Sequence, residues 1–189
     1  MEHRSLTRHD GLSQALHWST AALVVWAFTD GPGKPGPRVY WPSHDGERQL
    51  HETLGLCVLA LVVVRIFWRK SATRPAPRQD ARWMEVAAKV THATLYALLV
   101  AVPIAGGVGA WLEGHPVTLL GHLAMPSPFG AAPEVGRTIG HLHTWLGDAI
   151  MWVGALHGLA ALYHHVVLKD SALVAMLPRW FPVGSRSRG

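Results

Sequence analysis

The chain has very little cysteine and few charged residues, which many secreted proteins and soluble metalloproteins use for disulfides and metal sites. Its 189 residues include one cysteine, Cys57, which excludes an intrachain disulfide and argues against a thiolate metal site. Only 15% of the residues are charged, and the sequence has no HExxH motif and no group of carboxylates within its apolar runs. These absences argue against a zinc site of the HExxH type and against a domain stabilised by disulfides.

Histidine, tryptophan and long hydrophobic runs are what the sequence has in excess. It contains 13 His and 9 Trp, and 49% of its residues are hydrophobic. Tryptophan favours the boundary between a bilayer and water, because its ring is half apolar and half polar. The composition therefore predicts an integral membrane protein.

Four apolar stretches are about as long as a membrane-spanning helix needs to be. They cover approximately residues 12–29, 49–68, 86–111 and 139–168. We expect an all-α protein, an integral membrane four-helix bundle over residues 1–180, followed by a short polar tail at 181–189.

The basic residues predict the orientation of these spans. Thirteen of the 17 Lys and Arg lie in the two terminal segments and in the segment joining the second and third spans. The opposite side has only Lys34, Arg38, Arg48 and Arg137. Because positive residues stay inside, both termini are predicted to be cytoplasmic. The net charge of +5 is then explained by topology and by anionic lipid, without nucleic acid.

Histidines occur at two matched depths in these spans. His143 and His157 are fourteen residues apart, which returns a helix to nearly the same face after a rise of roughly 21 Å. With the predicted orientation, His51 matches the depth of His143 on the outer side, and His17 matches His157 on the inner side. Two neutral imidazoles on facing helices suit axial ligation of haem iron, so the pattern predicts two haem centres.

Two further histidines have more than one interpretation. His164 follows His157 by seven residues on the same stripe, roughly 10 Å deeper, where it could bind a quinone carbonyl. His92 could do the same, or could replace one of the inner ligands. The alternative to a ligand role is that these histidines form hydrogen bonds between neighbouring membrane helices.

The motifs around these histidines resemble those of the bacterial cytochrome b561 family, in particular its small four-helix di-haem superoxide oxidases. The matching residues are His17-Trp18, His51 with Gly55, Arg65 with Arg69, His92 with Tyr96, Pro103 to Gly106, the span-four series His143, His157, His164 and His165, and then Lys169, Asp170 and Met176 to Arg179. The resemblance covers about residues 8–180.

This resemblance implies a multi-pass protein of the bacterial inner membrane that carries two haem b groups. The inner haem is expected on His17 and His157, and the outer haem on His51 and His143. Ubiquinone is expected as the electron acceptor at the cytoplasmic side, in contact with His164. Superoxide or another periplasmic donor is expected at the outer side.

The charge of the outer segments does not single out superoxide as the donor, so two other functions remain alternatives. They carry four Lys or Arg against five Asp or Glu, which is not the basic funnel that would steer an anion such as superoxide. One alternative is a b-type cytochrome subunit that serves a separate respiratory dehydrogenase or a periplasmic cytochrome. Another is a haem-binding membrane anchor without catalysis.

Overall fold

The computed structural model describes residues 8–31, 45–71, 81–178 and 180–181, and these residues are mostly helical. The elements are α1 (Gly11–Thr29), α2 (Asp45–Ser71), α3 (Arg82–Leu112), β1 (Val117–Leu119), β2 (Leu123–Met125), α4 (Pro133–Val166) and α5 (Ala172–Met176). Along the chain, α1 packs against α2, α2 against α3, and α3 against α4. The predicted polar tail, apart from Phe181, lies outside the described residues.

Three helices within the described part of the chain, α2, α3 and α4, are long and apolar enough to cross a membrane. The helix predicted as the first span, α1, has 19 residues and is not among them. It carries polar side chains on the face that packs inward, including buried Gln14 and Thr20. Its crossing of a membrane therefore stays a prediction.

The ends of the helices follow from local chemistry. Asp10 caps α1, because its carboxylate accepts the backbone N–H and the hydroxyl of Ser13 at 2.9 and 2.7 Å. It also accepts the indole N–H of Trp68 at 3.1 Å, which ties the start of α1 to the end of α2. Burial raises the pKa of the Asp10 carboxyl, but hydrogen bonds from Ser13 and Trp68 outweigh it and leave this pKa below its ordinary value. Helix α4 begins with Pro133 in its first turn, six residues before the predicted span.

The apolar core lies where α2, α3 and α4 meet. Val58 and Val62 from α2 pack with Leu99 from α3 and Ile150 from α4, and Val62 is fully buried. Many large apolar side chains instead point outward, such as Trp145 and Trp152, which are 75% and 71% exposed. That arrangement is typical of helices whose outer faces meet lipid.

Glycines bring the outer halves of α3 and α4 close together. A Cβ on Gly109 would lie 3.4 Å from the backbone nitrogen of Gly140, and one on Gly136 would lie 3.0 Å from the carbonyl oxygen of Gly109. Gly136 and Gly140 are four residues apart on one face of α4, a small-residue spacing that membrane helices use for close contact. This contact sets the distance across which side chains of α3 and α4 meet.

A short β-hairpin covers the end of the bundle opposite the termini. In its register Val117 faces Met125, and its turn contains Leu120 and Gly121 with positive φ angles of 54° and 68°. The four spans predicted from the sequence include no strand in this connection. The strands are three residues each, which leaves too little periodicity to recognise them from the sequence.

The C-terminal segment crosses the other end and is bonded to α1. The Gln14 amide donates to the carbonyl oxygens of Ala175 and Leu177 at 3.2 and 3.0 Å, and the Trp18 indole donates to that of Met176 at 2.9 Å. The start of α1 and the segment after α4 therefore lie at the same end of the molecule. The predicted inner histidines lie toward this end.

Candidate functional site

The first histidine pair joins α2 and α4 near the hairpin. The ring centres of His51 and His143 are 5.8 Å apart, with an angle of 85° between the planes. The Nδ1 atom of His51 lies 2.9 Å from the carbonyl oxygen of Ala27, and that of His143 lies 2.8 Å from the carbonyl oxygen of Val102. A carbonyl only accepts, so each neutral ring carries its proton on Nδ1 and has Nε2 as its acceptor nitrogen. Metal-ligating histidines are commonly oriented by this type of hydrogen bond.

Two glycines fit closely against these rings. A Cβ on Gly106 would lie 3.0 Å from both Cε1 and Nδ1 of His143. A Cβ on Gly31 would lie 3.3 Å from the same two atoms of His51. Each ring therefore occupies room that a larger residue would take. Neither fit was predicted from the sequence, where Gly31 has no motif and Gly106 is only part of a family motif.

The second pair joins α1 and α4 near the termini. The ring centres of His17 and His157 are 6.3 Å apart, with an angle of 76° between the planes. His92 of α3 also meets this group, since its ring centre is 5.4 Å from that of His157. The structure thus brings both predicted pairs together at opposite ends of α4, and it adds His92 beside the inner pair.

Basic and aromatic side chains border the inner histidines. The Nη2 atom of Arg65 donates to Nδ1 of His17 at 3.2 Å. The guanidinium carbons of Arg65 and Arg69 lie 5.5 and 5.7 Å from the centre of the Tyr96 ring. These are cation–π contacts, in which the face of the aromatic ring attracts the positive charge of the guanidinium.

The spacing of both pairs fits axial ligation of one iron by two imidazoles. Two metal–imidazole bonds of about 2 Å in line, together with the radii of the two rings, separate the ring centres by roughly 6 Å. Within the described ranges, no three His, Cys, Asp or Glu side chains are grouped to hold a bare metal ion. Two protein ligands per site suit a group such as haem, whose porphyrin supplies the remaining four.

Helix α4 also leaves room beside its histidines. Gly147 follows His143 by four residues and Gly154 precedes His157 by three, so each shares a face with its histidine. Apart from its neighbours in the chain and the nearby backbone of α4 itself, a Cβ on either glycine would meet no atom of the described residues within 4 Å. A flat macrocycle can therefore approach the α4 backbone next to each histidine pair.

His164 lies further along α4, near the C-terminal segment. Its Nδ1 atom hydrogen-bonds a carboxylate oxygen of Asp170, whose other oxygen accepts the backbone N–H of Ala172 at 2.7 Å. Because the carboxylate accepts, neutral His164 carries its proton on Nδ1 and offers Nε2 as an acceptor. We predicted His164 as a quinone contact without this partner, and Asp170 was noted only as part of a motif.

Polar contacts fasten the hairpin over the outer pair. Glu52, next to His51 in the sequence, accepts a hydrogen bond from Nη1 of Arg48 at 2.7 Å. Its second carboxylate oxygen accepts the backbone N–H and the hydroxyl of Thr118 at 2.7 and 2.6 Å. Thr53 adds a hydrogen bond from the backbone N–H of Leu120 at 2.9 Å. The hairpin is thus held by the same turn of α2 that carries His51.

Comparison with known proteins shows which family the chain belongs to. Residues 8–179 match the family model described as prokaryotic cytochrome b561. The chain belongs to the prokaryotic cytochrome b561 family. It is therefore an electron-transfer membrane protein, and the family implies haem of the b type.

Several relatives in this family cover nearly the whole chain. "Cytochrome b561 homolog 2" of Escherichia coli (strain K12) is 30% identical over 171 residues, 90% of this chain and 91% of the relative. "Probable superoxide oxidase CybB" of Yersinia pestis is 30% identical over 175 residues, 91% of this chain and 97% of the relative. "Cytochrome b562" of Cereibacter sphaeroides is 30% identical over 176 residues, 88% of this chain and 92% of the relative. The similarity supports the family, and the names differ in what they say of activity.

Proposed function

We propose that the chain is a di-haem b electron-transfer protein of the bacterial inner membrane that passes electrons from the periplasmic face to ubiquinone at the cytoplasmic side. The observation that carries this proposal is the presence of two histidine pairs, at opposite ends of α4, with ring centres 5.8 and 6.3 Å apart. Both spacings are close to the roughly 6 Å that bis-imidazole ligation of one iron requires.

His51 and His143 are proposed as the axial ligands of the outer haem, and His17 and His157 as those of the inner haem. Haem supplies one-electron chemistry at its iron, at a potential that axial ligands and burial tune. The protein's part is to hold the four rings. Ala27 and Val102 accept the Nδ1–H groups of the outer pair, so Nε2 is the nitrogen of each ring that would ligate an iron. His92 is the alternative inner ligand, although its 5.4 Å spacing from His157 fits less well.

The quinone is proposed to bind beside His164 at the cytoplasmic side. Reduction of a quinone to a quinol consumes two electrons and two protons, so a titratable group near its oxygen is useful. The Asp170 carboxylate accepts Nδ1–H of His164 and so holds the ring in place. The imidazolium form would donate Nε2–H to the quinone oxygen, and the neutral form would accept from the quinol hydroxyl. Asp170 is therefore proposed as a positioning residue, and His164 as the residue that contacts the quinone.

Superoxide is the donor we propose, because a relative covered over nearly its full length is named a probable superoxide oxidase. Two superoxide ions would then give two molecules of oxygen and two electrons, and one quinone would take these electrons with two protons to become a quinol. The second candidate is a cytochrome subunit that receives electrons from a separate protein, which the names "cytochrome b561 homolog" and "cytochrome b562" leave open.

Stopped-flow mixing of the oxidised, haem-loaded protein with superoxide separates these two functions. We expect haem reduction that is complete within the lifetime of superoxide, followed by reoxidation when a soluble ubiquinone is added. His164→Ala is expected to slow the reoxidation and leave haem reduction unchanged. Failure of superoxide to reduce protein that holds both haems would instead favour the subunit function.

A further inference from the structure

Arg65 is a cation within α2 that has no anionic partner in the part of the chain that the structure describes. Its side chain is half-buried and makes one hydrogen bond, to Nδ1 of His17 at 3.2 Å, besides lying over the Tyr96 ring. A guanidinium has five N–H donors, so most of its hydrogen-bonding capacity is unused. A charge at membrane depth without a counter-ion is costly, and such residues usually serve a ligand.

The bond between Arg65 and His17 fixes the protonation of this ring. Arginine only donates, so Nδ1 of His17 must be the acceptor, and a neutral His17 then carries its proton on Nε2. His51 and His143 have the opposite arrangement, because their Nδ1 atoms face carbonyl oxygens. The outer pair is therefore arranged for ligation through Nε2, whereas His17 is not.

Binding of iron by Nε2 of His17 would require its proton to move to Nδ1. Two N–H groups would then face each other across 3.2 Å, so the Arg65 guanidinium would have to turn away. Its planar fork matches a carboxylate, which it binds through two parallel hydrogen bonds. Haem itself carries two such carboxylates, its propionates.

We propose that Arg65 binds a propionate of the inner haem and exchanges its hydrogen bond to His17 for this contact. The inference rests on the proposed ligation of the inner haem by His17 and His157. Arg65 would then neutralise the propionate, and the Nδ1 atom of His17 would be released from the guanidinium.

The contact is tested by a double-mutant cycle in which Arg65 is replaced on one side and the haem propionates are masked on the other. The background is His51→Ala, expected to carry the inner haem alone, reconstituted with either haem b or haem dimethyl ester, whose propionates are masked. Haem loss is followed by transfer to excess apomyoglobin. With haem b, Arg65→Ala is expected to speed loss about tenfold to a hundredfold, the effect of one hydrogen bond between charged groups. With the dimethyl ester, Arg65→Ala is expected to change the rate less than twofold.

Two further variants separate the contact from a general structural effect. Arg65→Lys keeps the charge but loses the pair of parallel hydrogen bonds, and it is expected to restore part of the haem retention. Arg69→Ala is the matched control, since Arg69 lies over the same Tyr96 ring but is exposed, and it is expected to change retention less than threefold. In the chain with both haems, Arg65→Ala is expected to lower the midpoint potential of the inner haem only, because a positive charge beside the iron favours the reduced state.

An equal effect of Arg65→Ala with haem b and with the dimethyl ester would overturn the proposal and would point to a lipid phosphate or a packing role. An unchanged inner potential would overturn it as well. Absence of haem from the His51→Ala background would instead count against the proposed ligand pairs, and the redox titration of the unmodified chain would then decide the role of Arg65 separately.

Discussion

Gly106→Ala is expected to weaken the outer haem site and leave the inner site intact. The new methyl group would lie 3.0 Å from Cε1 and Nδ1 of His143, so the ring must move by a few tenths of an ångström. The ring has little freedom to move, because its Nδ1–H bond to Val102 is 2.8 Å long and its helix is packed closely on α3. Disturbance of groups that orient a metal ligand typically lowers metal affinity by about 10- to 100-fold, and we expect a loss of that size.

Gly107→Ala is the matched control, since its Cβ would meet only Cγ2 of Val117, at an ordinary contact distance of 3.8 Å. Haem content per chain and haem transfer to apomyoglobin are compared for the two variants, with the inner haem as an internal reference. Outer haem retention that is the same in Gly106→Ala and Gly107→Ala would refute the tight fit of the His143 ring.

Three other outcomes are expected. Glu52→Gln should speed hydrogen exchange at the Thr118 amide at least tenfold, because a charged acceptor is lost, whereas Glu134→Gln on the exposed surface should not. Asp170→Asn should slow quinone reduction severalfold at unchanged haem content, measured by stopped-flow reoxidation, and an unchanged rate would remove Asp170 from the quinone site. Asp10→Asn should lower the melting temperature at neutral pH. The pKa of Asp10 in the folded protein lies below its ordinary value of 3.8. The ionised carboxylate therefore stabilises the folded protein fully above pH 3.8, and this contribution is lost as the pH falls through the folded-state pKa. The difference from the unmodified chain should therefore shrink in acid, and a constant difference across this range would contradict the assignment.

The helical periodicity and the positions of Lys and Arg were enough to predict which histidines meet. His143 and His157 share a face because both lie on one helix, and His17 and His51 could be matched to them by depth alone. The contacts between elements could not be read in this way. The fit of Gly106 against His143 depends on how closely α3 approaches α4, and the role of Arg65 depends on its reach from α2 to α1.

The hairpin and Asp170 were missed as functional parts for a similar reason. Three-residue strands have no usable alternation, and the hydrogen bonds of Glu52 to Thr118 join residues 66 positions apart. Asp170 is only six residues from His164, but it reaches back to that ring because the chain turns at Lys169, whose φ is 55°. A left-handed residue of this type carries no clear signal in a single sequence.

The proposed function depends on the binding of two haems, each held by one of the two histidine pairs. The most direct test is to measure haem content and resolved midpoint potentials in His17→Ala, His157→Ala, His51→Ala and His143→Ala, beside His92→Ala. We expect two haems per unmodified chain, loss of one and the same haem in the first two variants, loss of the other in the next two, and both haems in His92→Ala. Binding of fewer than two haems, or loss of the inner haem in His92→Ala with its retention in His17→Ala, would contradict the account.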